Sequence, residues 1–180
     1  MDKGGNEDYH LFAVDVDGKN QKELTPYEGV KVRILKGLKE DKNHMIISMN
    51  QNNPQVFEPY KINIVTGELK QLYKNEDNSN PINSYEFDKD GNLRGYAKLR
   101  DGVFIDMYYA ADGKNFELKK KLSWKDQFSI ISFNYASKNP HEAYVSSNLD
   151  SDKAEIYLYD LQKDKVLKKL YSNSDYDVSG

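Results

Sequence analysis

The chain has no cysteine among its 180 residues, which removes disulfides, thiolate nucleophiles and cysteine-ligated zinc together. Histidine is scarce as well: His10, His44 and His141 are the only imidazoles, and no pair has zinc-site spacing. Arginine occurs only at Arg33, Arg94 and Arg100, so the cationic side chains are almost all lysine. Net charge is −3 and the pI is near 5.7, so the electrostatic footprint of a nucleic-acid or anionic-membrane partner is missing, and neither is expected. No stretch reaches the roughly 18 apolar residues of a membrane-spanning helix. No capped apolar segment with helical spacing is present, and the glycines contain no Gly-x-Ser-x-Gly nucleophile elbow. Residues 1–8 are acidic and glycine-rich, the opposite of a secretory signal, and they assign no compartment.

What is present is aromatic. A hydrophobic content of 38% and a charged content of 31% would starve an ordinary core. The 14 tyrosines and 7 phenylalanines offset this, and they sit in alternating runs rather than scattered. Such runs, read as half-buried strands, cover 10–15 (HLFAVD), 60–65 (YKINIV), 105–110 (IDMYYA) and 155–161 (EIYLYDL). Turn signals follow them at Asp17-Gly18, Thr66-Gly67, Asp112-Gly113 and 162–165. An Asp-Gly pair there predicts a type I′ hairpin, with positive φ at both central residues.

The hairpin recurs. Each copy closes on a leucine, at Leu24, Leu72, Leu122 and Leu170, with successive spacings of 48, 50 and 48. A first strand ends at Leu38, Phe87 and Tyr135, and a second is marked by Ile47, Tyr96 and Tyr144, each set 49 and then 48 apart. Three sets of positions share one period near fifty residues, the signature of a ring or stack of repeats. Each period holds four short strands joined by tight turns, the size of a propeller blade. The sequence therefore predicts an all-β chain, a partial β-propeller of four-stranded antiparallel blades. Complete blades are placed at about 31–75, 80–124 and 128–172, with a half-blade over 1–25 and the first strand of a further blade at 175–180. The whole of 1–180 reads as one propeller piece, and its open blade edges predict self-association.

Several stretches could carry chemistry. Residues 15–18 and 88–92 resemble the start of a calcium loop but lack its third aspartate and distal glutamate, and both fall where a hairpin must turn, so no metal is expected. His44 and His141 are 97 residues apart, two repeat periods, and read as equivalent structural positions. Catalytic residues are expected nowhere in the chain, and no cofactor is implied. Binding candidates are fewer. Arg33, in the first strand of the first blade, and Arg100, before a turn in the second, could hold a carboxylate with paired donors. Asn52 and Asn53 lie in 50–54 (NQNNP), read as a long loop between strands. Trp124, the only tryptophan, falls between two blades. Lys119–Lys121 reads as a solvated strand edge.

The stretches 4–11 (GGNEDYHL), 13–18 (AVDVDG) and 24–30 (LTPYEGV), with 173–180 (NSDYDVSG) at the far end, resemble the propeller of the prolyl oligopeptidase family of serine peptidases, especially its acylaminoacyl-peptidase and dipeptidyl-aminopeptidase-like bacterial members. The resemblance implies a non-catalytic module over a C-terminal α/β-hydrolase domain that this chain does not include. That domain and peptide substrates would be the partners, access to the triad would be the role, and a bacterial cytoplasm or periplasm would be the setting. The Asp-Gly hairpin followed by Leu-Thr-Pro is shared with TolB-like and WD40-like propellers. A binding propeller with no enzymatic parent is the alternative.

Overall fold

The computed structural model describes Gly5 and residues 7–179. No helix occurs among the described residues. Among the described residues, fourteen strands form four antiparallel sheets. A short hairpin joins β1 (Phe12–Ala13) to β2 (Lys22–Glu23). The first complete sheet runs β3 (Val32–Gly37), β4 (His44–Asn53), β5 (Val56–Asn63) and β6 (Leu69–Gln71). The second comprises β7 (Ile82–Phe87), β8 (Leu93–Arg100), β9 (Phe104–Tyr109) and β10 (Glu117–Leu122). The third comprises β11 (Phe128–Phe133), β12 (Glu142–Ser147), β13 (Glu155–Asp160) and β14 (Lys165–Tyr171). Each four-stranded sheet keeps its strands in chain order, which is the meander of a propeller blade. The chain divides into two compact units, one ending at Leu93 and the other starting at Arg94.

In the first unit the blade core has two sides. Ile47 packs with Leu24, Val30, Met49, Tyr60 and Ile62, whereas the adjacent Ile46 packs with Leu38 and Phe87. Successive side chains of a strand point to opposite faces, so burying both isoleucines means that β4 is covered on both sides. The middle strand therefore reads as a continuous apolar run, and alternation survives only toward the sheet edges. The closing leucines make this layering visible. Leu24 is 3% exposed and joins the first core, and Leu72 packs beside the second. In the second unit Leu122 joins Tyr109, Phe128, Phe133, Val145, Tyr157 and Tyr159.

Several expectations need correction in detail. At Asp17-Gly18 and Asp112-Gly113 only the glycine takes positive φ (81° and 72°), as it does at Asp90-Gly91 (82°); the Gly18 and Gly91 N–H groups return to the carbonyls of Asp15 and Asp88 at 2.8 and 3.1 Å. The Gly18 and Gly91 turns are three-residue loops with a glycine bulge rather than type I′ turns. The aspartate stays at negative φ because its position in such a loop asks for nothing else. The turn with both central φ positive occurs at Asp101-Gly102 (53° and 74°), within residues 101–103 between the paired Arg100 and Phe104. The first-strand end in the third blade is the buried Phe133. Tyr135 lies exposed in the turn that follows, because that connection is longer.

No strand forms over 173–179, where a further blade was expected to begin, and Gly180 lies outside the described residues. The Asn173 side chain accepts the N–H groups of Asp175 and Tyr176, which bends the chain. Val178 N–H then donates to Ala154 O at 2.8 Å, and Ser146 Oγ donates to Val178 O at 2.6 Å. The segment is thus tied back to the blade it leaves.

Candidate functional site

A densely bonded polar cluster of the first unit is centred on Glu58 of β5, which is buried. Its Oε2 accepts from Asn52 Nδ2 (2.5 Å) and Gln71 Nε2 (3.0 Å), and its Oε1 accepts the backbone N–H of Asn75 (2.7 Å). Three donors from β4, β6 and the onward connection thus converge on one carboxylate, which makes its burial tolerable. Asn52 also reaches Tyr60 OH at 3.4 Å.

Residues 50–54, expected to form a long loop, are mostly strand: β4 continues to Asn53, and only Pro54 and Gln55 separate it from β5. A bulge between Met49 and Asn53 absorbs the extra residues. Asn50 closes it, taking Lys31 N–H on Oδ1 (2.7 Å) and donating to Pro54 O (2.9 Å). Asn53 Oδ1 caps Gln55 N–H at 2.9 Å. These are backbone-satisfying roles that the polar composition of the stretch did not distinguish from a recognition loop.

Arg33 lies on β3 of the same sheet, exposed, with its guanidinium carbon 3.7 Å above the Phe57 ring. It has no carboxylate partner among the described residues, so its fork of donors remains open toward solvent. The structure thus places Arg33, Asn52 and Asn53 in one blade. Arg100 and Trp124 belong to the second unit. Arg100 is already committed: Nε donates to Asp106 Oδ2 at 3.0 Å, Nη1 lies 3.3 Å from Asp101 Oδ2, and the guanidinium stands over Phe104. Trp124 follows β10, is 73% exposed, and has Lys125 Nζ 5.2 Å from its ring.

The histidines occupy structural positions. His10 lies just before β1 rather than within a strand, with Nδ1 2.5 Å from Glu23 Oε1. His44 begins β4 and meets Asp41 at 2.8 Å, while Lys61 reaches the other oxygen of Asp41 at 2.9 Å. The His44 hydrogen bond first, and the Lys61 contact second, hold the Asp41 carboxyl down at about 2. His141 immediately precedes β12, 3.1 Å from Tyr109 OH, and Arg94 Nη2 donates to that hydroxyl at 2.8 Å. Burial, followed by the Arg94 charge, pushes the His141 imidazole below its ordinary value.

Lys119 and Lys120 correct another expectation, that of a solvated edge. Lys119 Nζ donates to Gln162 O (3.0 Å), and Lys120 Nζ meets Asp164 (3.0 Å) while standing over the Phe128 and Tyr159 rings. The lysine stems cover aromatic surface between β10 and the β13–β14 turn.

Two features were missed in the sequence. Glu58-Pro59-Tyr60 and Glu155-Ile156-Tyr157 lie 97 residues apart, the His44–His141 interval, and both glutamates are buried in third strands. Tyr157 OH and Lys169 Nζ both bond Glu155, and burial, then that hydrogen bond, lifts the Tyr157 phenol to about 12. The second is a groove of about 640 Å³ at the β1–β2 hairpin, lined by Tyr9, Leu11, Phe12, Val14, Val32 and Ile34.

Comparison with known proteins places this architecture. No family model matches the chain. Over 75 residues it is 31% identical to dipeptidyl aminopeptidase BIII of Pseudoxanthomonas mexicana, a match covering 42% of this chain and 11% of that protein. Among solved structures it is similar to TolB from Acinetobacter baumannii, with a TM-score of 0.56 and 16% identity over 94% of this chain and 39% of that one. It is also similar to a structure from a study of two prolyl endopeptidases, with a TM-score of 0.51 and 14% identity over 82% of this chain and 20% of that one. The fold is that of a partial β-propeller, and the chain spans a small part of the length of the proteins it matches.

Proposed function

We propose that the chain is a non-catalytic propeller segment of a serine peptidase of the prolyl oligopeptidase family, controlling which peptides reach a C-terminal hydrolase domain. The observation that carries this reading is the 31% identity over 75 residues to a dipeptidyl aminopeptidase, in a chain of blade repeats. Gating asks for no titrating group here. It asks for rigid blades, which two-sided burial of strands such as β4 supplies, and for polar contacts that orient a peptide. Arg33 suits such a contact, since its donors are not spent on an internal carboxylate and the Phe57 ring holds it in place.

The test uses the longer protein containing this segment. It should hydrolyse short peptides and spare long unfolded polypeptides, and Arg33→Ala should raise KM for peptides with a free carboxylate while leaving kcat nearly unchanged. Equal cleavage of short and long chains would contradict gating. A second reading, a TolB-like binding propeller without a peptidase domain, is favoured by the greater coverage and TM-score of the TolB match.

A further inference from the structure

The chain carries four Asp-Gly pairs, at Asp17-Gly18, Asp90-Gly91, Asp101-Gly102 and Asp112-Gly113. Such a pair can rearrange covalently, because glycine leaves its amide nitrogen unshielded beside the aspartate side chain. The glycine nitrogen attacks Cγ of the protonated carboxyl and a C–N bond forms. The amide proton leaves with the carboxyl hydroxyl as water. Water then opens the succinimide ring at either carbonyl, giving aspartate again or isoaspartate, whose main chain runs through Cβ. The water lost equals the water regained, so no other reactant is needed.

All four aspartates are exposed, so access to water does not separate them. The glycine amides do. The N–H groups of Gly18, Gly91 and Gly113 donate to the carbonyls of Asp15, Asp88 and Ala110 at 2.8, 3.1 and 3.2 Å. Gly102 N–H has no acceptor among the described residues, because in that turn it is Val103 N–H that returns, to Arg100 O at 3.2 Å. A bonded amide must leave its acceptor before it can attack, and a free one need not. The carboxyls of two protected pairs are also held by backbone donors. Asp112 Oδ1 accepts Asn115 and Lys114 N–H at 2.8 and 2.9 Å, which keeps that carboxyl near 2 and short of the acid form that loses water. Asp17 Oδ1 accepts Lys19 N–H at 3.0 Å.

We propose that Asp101-Gly102 is a covalent modification site, converting to isoaspartate in the folded protein while the fold protects the other three pairs. The product matters locally. An isoaspartate adds one carbon to the main chain between the paired Arg100 and Phe104, in a turn whose two central residues both sit at left-handed φ. That extra length disturbs the hairpin holding Arg100, whose Nε donates to Asp106 Oδ2 at 3.0 Å. Modification at Asp101 therefore loosens a guanidinium that the unmodified turn keeps on its internal carboxylate.

Prolonged incubation in heavy-oxygen water at neutral pH, followed by peptide mass spectrometry, tests this. Each passage through the succinimide leaves one heavy oxygen on the aspartate concerned. In the folded protein Asp101 should gain label roughly fivefold faster than Asp17, Asp90 or Asp112. The same protein in concentrated urea should label all four at similar rates, because the fold no longer chooses among them. A protein isoaspartyl methyltransferase, which methylates the carboxylate that isomerisation frees, gives a second reading. Asp101→Glu should remove most of the methyl acceptance of the aged protein, with circular dichroism unchanged. Folded-state labelling spread evenly over the four pairs, or fastest at another one, would overturn the proposal. So would methyl acceptance that survives Asp101→Glu undiminished.

Discussion

Glu58 Oε1 and the backbone N–H of Asn75 lie 2.7 Å apart, joining the third strand of the first blade to the segment that leads toward β7. Asn75 in turn accepts Ile82 N–H on its own side-chain oxygen at 3.0 Å, so the carboxylate anchors a chain of bonds that ends at the next strand. Removing the carboxylate strands three donors at once. Glu58→Ala should therefore cost about 2–4 kcal/mol of stability. Glu58→Gln should cost about 1–2 kcal/mol, because its amide turns one acceptor into a donor facing donors. Urea midpoints of the two variants against the parent chain check both.

Glu86 of β7 gives a pH dependence in the opposite sense from most carboxylates. Burial raises its pKa to about 7, with Lys36 opposing the shift. Between the unfolded value near 4.5 and about 7 the folded chain holds a proton that the unfolded chain has lost, so stability falls as pH rises through that window. Glu86→Gln should remove this loss and leave the chain about 1–2 kcal/mol more stable at pH 8, with little change at pH 4, a figure kept low because the side chain is only half-buried. Thermal unfolding of both forms across pH 4–9 measures it.

Asp41 works the other way. Its carboxyl, held at about 2 by His44 and Lys61, contributes stability that is present above the unfolded value of 3.8 and is lost as pH falls from there through about 2. Asp41→Asn should flatten the acid limb of the stability curve in that interval by lowering stability across the neutral region, with the two forms converging as pH falls toward about 2, as read by urea unfolding followed by circular dichroism at a series of pH values.

Much of the architecture was legible in the sequence because the repeat is carried by residues that pack. Leu24, Leu72 and Leu122 hold equivalent places in successive layers, so their spacing gave the blade period. Local chemistry was less legible. Aspartate before glycine serves a glycine-bulge loop as readily as a type I′ turn: three residues lie between Asp88 and Asn92 and between Arg100 and Phe104 alike, and the φ of the aspartate is what differs. The polar run 50–54 reads as loop by composition, although Asn50 and Asn53 spend their side chains satisfying a bulged hairpin. Of the binding candidates, Arg33 is open to solvent while Arg100 is held by Asp106. Both are arginines in strands, and the difference lies in a carboxylate two residues into the next strand. The Glu58 and Glu155 pair was hidden because glutamate is expected on surfaces, although its 97-residue spacing was readable.

Glycine positions separate backbone strain from crowding. Gly18 and Gly91 both adopt positive φ, but a Cβ at Gly18 would meet nothing, whereas at Gly91 it would approach the Leu38 side chain to 3.1 Å. Gly18→Ala should cost about 1 kcal/mol and Gly91→Ala about 2 kcal/mol or more, the excess arising from the Leu38–Ile46–Phe87 core. Paired urea titrations give the difference directly.

Trp124 is the sole tryptophan and stands 73% exposed, so its emission reports whatever covers it. Trp124→Ala should change stability by less than about 0.5 kcal/mol. A hydrolase domain packed on this connection should shift its fluorescence to shorter wavelength, and comparison of the isolated chain with the longer protein measures that shift.

The central claim, a propeller segment serving a peptidase, is tested most directly by reading the uninterrupted coding frame on both sides of these 180 residues. The account predicts further blades of the same period and, C-terminal to them, an α/β-hydrolase domain with Gly-x-Ser-x-Gly and downstream aspartate and histidine. A frame with propeller repeats and no such domain would contradict it.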